Sequence, residues 1–136
     1  MPGAEVMIKK ILIVDDSKVA RIMLEKCLPR DKAYEIIEAV DGQDGVNKYR
    51  EFTPDITFMD LTMPVLDGFK ATAEIMKLDK NAVVIIATAD IQPKSVERVT
   101  ALGAFTVIKK PVKPQLMQEV LAAVELKLSK LPGVKR

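Results

Sequence analysis

The sequence contains no histidine and no tryptophan, and only one of its 136 residues is a cysteine. Without histidine, the chain cannot use Ser-His-Asp or Cys-His catalysis, ligate zinc through imidazole, or carry a phosphohistidine. The lone Cys27 excludes an intrachain disulfide and is typical of a reducing cytoplasm, where we expect the protein to reside. Any chemistry must therefore depend on carboxylates, hydroxyls, amines or a hard metal ion.

Long hydrophobic runs and an excess of one charge are also missing. The longest apolar run, residues 82–87, is far shorter than the ~20 residues that cross a bilayer. The N-terminal residues lack the basic start and apolar stretch of a signal peptide. Because 21 Lys and Arg nearly balance 19 Asp and Glu, no overall field favours nucleic acid or an anionic membrane. We therefore expect neither as a partner.

Five short, largely apolar runs rich in β-branched residues predict β-strands. They are residues 11–14, 34–37, 56–59, 82–87 and 105–108. Segments with helical periodicity follow them, at residues 18–28, 43–50, 68–78, 93–102 and 114–128. Right-handed crossovers then give a parallel sheet with helices on both faces, an α/β fold. We expect one domain over residues 7–128, with flexible ends at 1–6 and 129–136.

The hydrophobic spacing in the first and last helices predicts which side chains face the core. In the first helix the expected buried set is Val19, Ala20, Met23, Leu24, Cys27 and Leu28. Lys18, Arg21 and Glu25 are expected to face solvent, and Ile22 falls off the stripe. In the last helix the expected buried set is Leu116, Met117, Val120, Leu121, Val124 and Leu128.

Polar residues stand at the ends of four predicted strands. Asp15 and Asp16 follow the first strand, Asp60 follows the third, Thr88 follows the fourth, and Lys110 follows the fifth. Ligands of open α/β sheets bind outside the carboxyl ends of the strands. We therefore expect three carboxylates, a hydroxyl and an ammonium at one edge of the sheet.

Carboxylates packed together repel one another, and a bound divalent cation relieves that repulsion. All-oxygen ligation suits Mg²⁺, with Mn²⁺ as an alternative ion. Such a metal would also neutralise phosphoryl oxygens, while Thr88 donates a hydrogen bond and Lys110 supplies a charge. Asp60 would then be the nucleophile that forms an aspartyl phosphate.

These residues give the sequence its likeness to a known family. The chain resembles the receiver domain of two-component response regulators along residues 7–128. It most resembles the stand-alone chemotaxis type, because we expect no output domain to follow. The matching residues are Asp15-Asp16, Asp60 within Met59-Asp60-Leu61-Thr62-Met63-Pro64-Val65-Leu66-Asp67-Gly68, Thr88-Ala89 and Lys110-Pro111. Each motif alone is common, whereas their joint occurrence in this order at strand ends is specific.

The resemblance implies a flavodoxin-like three-layer sandwich whose five parallel strands have the order 2-1-3-4-5. It implies that Mg²⁺ is held by Asp15, Asp16, Asp60 and the backbone carbonyl of Thr62. It further implies that Asp60 accepts a phosphoryl group from a sensor histidine kinase or phosphotransfer protein, and that Thr88 and Lys110 bind this group. Thr62 and Asp90 match positions that tune self-hydrolysis.

The implied output is altered protein binding within a phosphorelay, not turnover of a substrate. In the family, the surface of residues 94–125 usually meets downstream partners. One position departs from the pattern: three residues before the lysine the family usually has Tyr or Phe, and here Val107 stands there. We therefore predict that phosphorylation survives but that the conformational response is less sharply two-state.

Three alternatives remain. An aspartyl phosphatase of the haloacid-dehalogenase kind also places Asp at a strand end, but its nucleophile follows the first strand and usually has a second acid two residues on, where this chain has Thr62. A flavin carrier on the same fold needs hydroxyls and glycines in its first loop, where Asp15-Asp16 would repel a phosphate. The third is a degenerate receiver acting as a phosphorylation-independent scaffold, against which the intact acidic set argues.

Overall fold

The computed structural model describes residues 8–89 and 91–130, and in this part of the chain five strands alternate with five helices. The strands are β1 (Lys10–Val14), β2 (Glu35–Ala39), β3 (Ile56–Met59), β4 (Val84–Thr88) and β5 (Thr106–Lys109). The helices are α1 (Lys18–Lys26), α2 (Gly42–Phe52), α3 (Gly68–Leu78), α4 (Pro93–Leu102) and α5 (Pro114–Ser129). All strand pairs are parallel, in the order β2-β1-β3-β4-β5. The predicted flavodoxin-like α/β sandwich is confirmed.

Two hydrophobic layers enclose the sheet. Side chains alternate across each strand, so Ile11 and Ile13 of β1 join the layer beneath α1 and α5, whereas Leu12 and Val14 join the layer beneath α2, α3 and α4. Every residue of β3 and β4 is buried. The sequence predicts such two-sided burial for the first and fourth strands, whose apolar runs show no polar alternation, and residues 11–14 of β1 are indeed buried along with β4.

Helix boundaries follow local backbone chemistry. Ser17 accepts a hydrogen bond from the backbone N–H of Ala20, which satisfies one of the unpaired donors at the start of α1. Pro93 opens α4, and Gly103 ends it with φ of 110°, a left-handed conformation that glycine adopts without strain. The predicted helix over residues 93–102 is therefore confirmed.

The predicted orientation of α1 is wrong for three residues. Val19 and Met23 are 65% and 52% exposed, whereas Arg21 is only 9% exposed. Arg21 and Leu24 lie on one face of α1, and this face packs inward because Leu24, together with Leu28 just after the helix, fills the core. Val19 and Met23 therefore face solvent.

The remaining expectations for the helices are mostly confirmed. In α5 the predicted buried residues are buried except Leu116, which is 36% exposed because it falls outside the row that faces the sheet. Helix α5 continues through Ser129. The described residues do not include the predicted flexible end at residues 1–6 or Asp90. Of the other predicted flexible end, residues 131–136 also lie outside them. Within the described part, no helix combines the length and apolar character needed to cross a membrane.

Candidate functional site

The carboxyl ends of β1, β3, β4 and β5 bring the three carboxylates, Thr88 and Lys110 to one edge of the sheet. Val14 and Met59 are register partners in adjacent strands, so the residues that follow them leave the sheet side by side. The backbone N–H of Asp60 donates to the carbonyl of Val14 at 3.0 Å. The backbone N–H of Lys110 donates to the carbonyl of Thr88 at 2.9 Å. Strand pairing thus joins segments that are far apart in the sequence.

Three carboxylates converge at this edge. Asp15 is 6% exposed, Asp16 is exposed, and the side chain of Asp60 is 12% exposed. One carboxylate oxygen from each lies within 4.8 Å of the others. These are hard oxygen donors of the kind that Mg²⁺ prefers, so the residues fit a divalent cation.

Lys110 neutralises part of this acidic cluster. Its Nζ donates to Asp15 Oδ2 at 2.7 Å and lies 3.5 Å from Asp60 Oδ1. Burial alone would lower the pKa of Lys110, but the hydrogen bond to Asp15 and the charges of both carboxylates outweigh burial and raise its pKa. The ammonium group therefore stays charged inside the site.

Asp60 is in a less favourable environment for its charge. Burial raises its pKa, and the nearby Asp15 raises it further, whereas Lys110 and the backbone N–H of Leu61 lower it. The net direction is upward from the ordinary carboxyl value. A carboxylate that is poorly solvated and flanked by another acid is predisposed to react or to bind a cation.

The loop after β3 is held close beneath Asp60. The backbone N–H of Gly68 donates to the carbonyl of Leu61 at 2.9 Å. A Cβ at residue 68 would collide with the backbone carbonyl of Asp60, so only glycine allows this approach. Within the loop Thr62 is exposed, and Val65 has φ of 70°, which a β-branched residue rarely adopts.

The other predicted residues differ in their location and burial. Thr88 ends β4 and is 4% exposed. Val107 lies in β5, partly buried against the core layer beneath α2, α3 and α4. Lys109 is exposed, as expected of the lysine that does not reach the site. Asp90 lies outside the described residues.

Sequence reasoning missed two features beside the site. Arg21, expected at the surface, donates from Nη1 to the main-chain carbonyl of Asp15 at 2.7 Å. An apolar groove of about 470 Å³ runs between α1 and the segment after β5, lined in part by Met23, Ala89 and Lys110. Periodicity could not reveal either feature, because both depend on how α1 is rotated against the sheet.

Comparison with known proteins is consistent with this geometry. The family model for the response regulator receiver domain matches residues 11–122. A chemotaxis protein CheY of Thermotoga maritima is 41% identical over 117 residues, which cover 85% of this chain and 97% of that protein. A chemotaxis protein CheY of Halobacterium salinarum is 37% identical, with 84% and 95% covered.

A solved structure gives the same relationship in three dimensions. The crystal structure of the CheX–CheY–BeF3–Mg²⁺ complex from Borrelia burgdorferi matches with a TM-score of 0.79 and 34% identity, covering 85% of this chain and 88% of that one. Sequence similarity and fold similarity therefore indicate the same family, and the acidic residues of this chain at the sheet edge are consistent with it. The chain belongs to the family of response regulator receiver domains.

Proposed function

We propose that this receiver domain accepts a phosphoryl group on Asp60 and signals through the resulting change in protein binding. The observation that carries the proposal is the convergence of Asp15, Asp16 and Asp60 within 4.8 Å, with Lys110 against two of these carboxylates. A receiver that had lost its chemistry would have no need to keep this acidic set together. The degenerate scaffold is therefore not favoured.

In the proposed reaction Asp60 is the nucleophile. A carboxylate oxygen of Asp60 forms a bond to phosphorus while the P–N bond of a donor phosphohistidine breaks, and the bonding electrons return to the donor imidazole. The chain itself contains no histidine, so the donor must be another molecule. A sensor histidine kinase or a phosphotransfer protein has the required chemistry.

The neighbouring residues would have separate tasks. Asp15, Asp16, Asp60 and the backbone carbonyl of Thr62 would hold Mg²⁺, with Mn²⁺ as the alternative ion. Such a cation offsets negative charge on the carboxylates and on the incoming phosphoryl oxygens. Lys110, whose Nζ lies 3.5 Å from Asp60 Oδ1, would pair with the new phosphoryl group, and Thr88, at the end of β4, would donate a hydrogen bond to it.

Self-hydrolysis would be slow, with Thr62 and Asp90 as the residues that tune it. Asp60 would thus be phosphorylated and then regenerated by hydrolysis, and the protein would not turn over a separate substrate. A haloacid-dehalogenase type of phosphatase is disfavoured because Asp60 follows β3 and not β1. A flavin carrier is disfavoured because Asp15 and Asp16 occupy the first loop.

A protein donor would meet the exposed face of α1. Val19 and Met23 are exposed on this helix, and Met23 lines the same apolar groove as Ala89 and Lys110. The groove therefore shares Lys110 with the acidic cluster, and the Nζ of Lys110 lies 3.5 Å from Asp60 Oδ1. We retain residues 94–125 as the proposed surface for the downstream partner.

Phosphorylation with acetyl phosphate and Mg²⁺ tests the proposal. The full chain should accumulate one phosphoryl group that is stable in acid and labile in base, as an acyl phosphate is. Asp60→Asn should abolish labelling, while Asp31→Asn, at an exposed carboxylate outside the cluster, should label normally. Labelling of Asp60→Asn equal to that of the parent would refute the proposal.

A further inference from the structure

Arg21 is a buried cation that the proposed phosphoryl transfer does not use. The residue is 9% exposed and lies on the inward face of α1 with Leu24. A guanidinium group withdrawn from water is unfavourable unless its charge and its N–H groups are compensated. The groups that accept hydrogen bonds from the guanidinium therefore indicate which part of the structure Arg21 stabilises.

Two acceptors compensate the guanidinium. Nη1 donates to the main-chain oxygen of Asp15 at 2.7 Å, a buried hydrogen bond, and Nε donates to Oε1 of Glu38 at 2.6 Å. Glu38 lies in β2, where it is the register partner of Ile13 in β1. Because the guanidinium is planar and rigid, Arg21 ties the start of the loop after β1 to the neighbouring strand in a defined orientation.

The carbonyl that Arg21 holds belongs to the peptide that joins Asp15 to Asp16. Asp15 is also fixed by other bonds: its N–H donates to the carbonyl of Ala39 at 3.1 Å, and its Oδ1 accepts from the N–H of Ser17 at 2.9 Å. The carboxylate of Asp16 makes no hydrogen bond or ion pair with any residue that the structure describes. The backbone therefore decides where the side chain of Asp16 starts, and that backbone includes the planar peptide whose oxygen accepts from Arg21.

We propose that Arg21 is a positioning residue for cation binding, which holds the Asp15–Asp16 peptide so that Asp16 converges with Asp15 and Asp60. The inference rests on the proposed function, because it concerns the Mg²⁺ site. Charge and position have opposite effects here. By its charge alone Arg21 repels a cation, so its removal would tighten Mg²⁺ binding. By its position it aligns the ligands, so its removal weakens binding.

Calorimetric titration of Mg²⁺ into the full chain and three variants separates these effects. Arg21→Met removes the charge and the hydrogen bonds, whereas Arg21→Lys keeps the charge but lacks the planar donor pair. Loss of a group that orients metal ligands typically weakens affinity 10–100-fold, so we expect roughly tenfold weaker binding in Arg21→Lys. The loss should be smaller in Arg21→Met, which also removes the repelling charge. Glu38→Gln leaves the bond to Asp15 in place and should stay within about twofold of the parent, since Glu38 is half-exposed.

Phosphorylation by acetyl phosphate gives a second measurement. In Arg21→Lys the Mg²⁺ concentration for half-maximal labelling should rise about tenfold, by the same loss of ligand alignment, while the rate at saturating Mg²⁺ approaches that of the parent. A purely structural role would lower the rate at every Mg²⁺ concentration. Amide NMR spectra verify that each variant is folded, and Arg21→Lys carries the test if Arg21→Met does not fold.

The outcomes are distinguishable. Unchanged or tighter Mg²⁺ binding in folded Arg21→Lys would overturn the positioning role and leave the proposed function intact. A parent chain that binds no Mg²⁺ would refute the proposed function and, with it, this inference. Equal weakening in Glu38→Gln and Arg21→Lys would assign the effect to the ion pair and would also overturn the role of the Asp15 carbonyl.

Discussion

Lys110 and Asp15, 95 residues apart in the sequence, are joined by a hydrogen bond of 2.7 Å between Nζ and Oδ2. The side chain of Asp15 is 8% exposed, so little water competes for this contact. Lys110 thus serves as an internal counter-ion for the acidic cluster. Mg²⁺ would seek the same carboxylates, so the ammonium group and a bound cation are expected to oppose each other.

The first prediction follows from this opposition. Lys110→Met should tighten Mg²⁺ binding roughly fivefold or more, because it removes a positive charge that lies against Asp15 and Asp60 and repels a cation bound there. Lys109→Met is the matched control, since Lys109 is adjacent but exposed, and its Mg²⁺ affinity should equal that of the parent. Calorimetric titration checks both variants, and an unchanged affinity in Lys110→Met would contradict the prediction.

The raised pKa of Asp60 predicts a pH-dependent stability. Burial, reinforced by Asp15, makes the folded state bind a proton at Asp60 more tightly than the unfolded state does. Stability contributed by this group is therefore present at low pH and is lost as the pH rises through the unfolded and then the folded pKa. Asp60→Asn should then stabilise the metal-free protein at neutral pH, and the gain should shrink once the pH falls below the ordinary carboxyl value.

Urea unfolding at several pH values in the presence of a chelator measures this effect. Asp31→Asn, which changes an exposed carboxylate, should show no comparable gain at neutral pH. With Mg²⁺ added, the difference in unfolding free energy between Asp60→Asn and the parent should narrow or reverse. The parent gains binding free energy from Mg²⁺ that Asp60→Asn has lost. A variant less stable than the parent in chelator at neutral pH would refute the prediction.

The backbone at Val65 predicts a stabilising substitution in the loop beneath the site. Val65 has φ of 70° and is 81% exposed, so its side chain adds strain without packing. A non-glycine residue in this conformation is disfavoured by roughly 1–2 kcal/mol, and Val65→Gly should recover about half of this after the entropy of glycine is counted.

Val40→Gly provides the control for that substitution. Val40 is also an exposed valine in a loop, at 51%, but it is not among the residues with positive φ. Its replacement should lower the midpoint of urea unfolding, whereas Val65→Gly should raise it. Equal effects of the two substitutions would show that the left-handed backbone at Val65 carries no strain.

The exposure of Met23 beside the site predicts that its substitution affects phosphorylation by a donor protein but not by a small phosphodonor. Because Met23 is 52% exposed and lines the groove beside Lys110, Met23→Glu should weaken contact with a donor protein without altering Asp60. We expect labelling by acetyl phosphate to stay near that of the parent, while transfer from a cognate phosphohistidine protein falls roughly tenfold or more, as at an interface hot spot. Leu126→Glu, on an exposed position of α5, should leave transfer from the donor unchanged.

Val107 predicts an incomplete conformational response. Binding of beryllofluoride with Mg²⁺ should shift the amide resonances of residues 93–110 less than in relatives that have an aromatic residue at this position. Val107→Tyr should enlarge those shifts, whereas Val107→Ile, which changes size without adding a ring, should not. Shifts in the parent as large as those of aromatic-bearing relatives would show that this chain does not need the ring.

The sequence alone determined the order of elements and the position of the acidic residues at strand ends. The apolar runs in β1 and β4 were unambiguous because these runs are buried on both faces of the sheet. Asp60 and Lys110 could be placed at one edge because parallel strands present their carboxyl ends together. Such features depend on local patterns and on chain connectivity, which a sequence records directly.

Tertiary packing decided the rotation of α1 about its axis and the contacts that its side chains make. Periodicity placed Arg21 on the solvent side of α1 and Val19 and Met23 in the core, and the structure reverses both assignments because the row of Leu24 and Leu28 packs against the sheet. A helix with apolar residues on more than one side has several orientations of similar hydrophobic free energy. Only the shape of the sheet and the acceptors available to a buried guanidinium select among them.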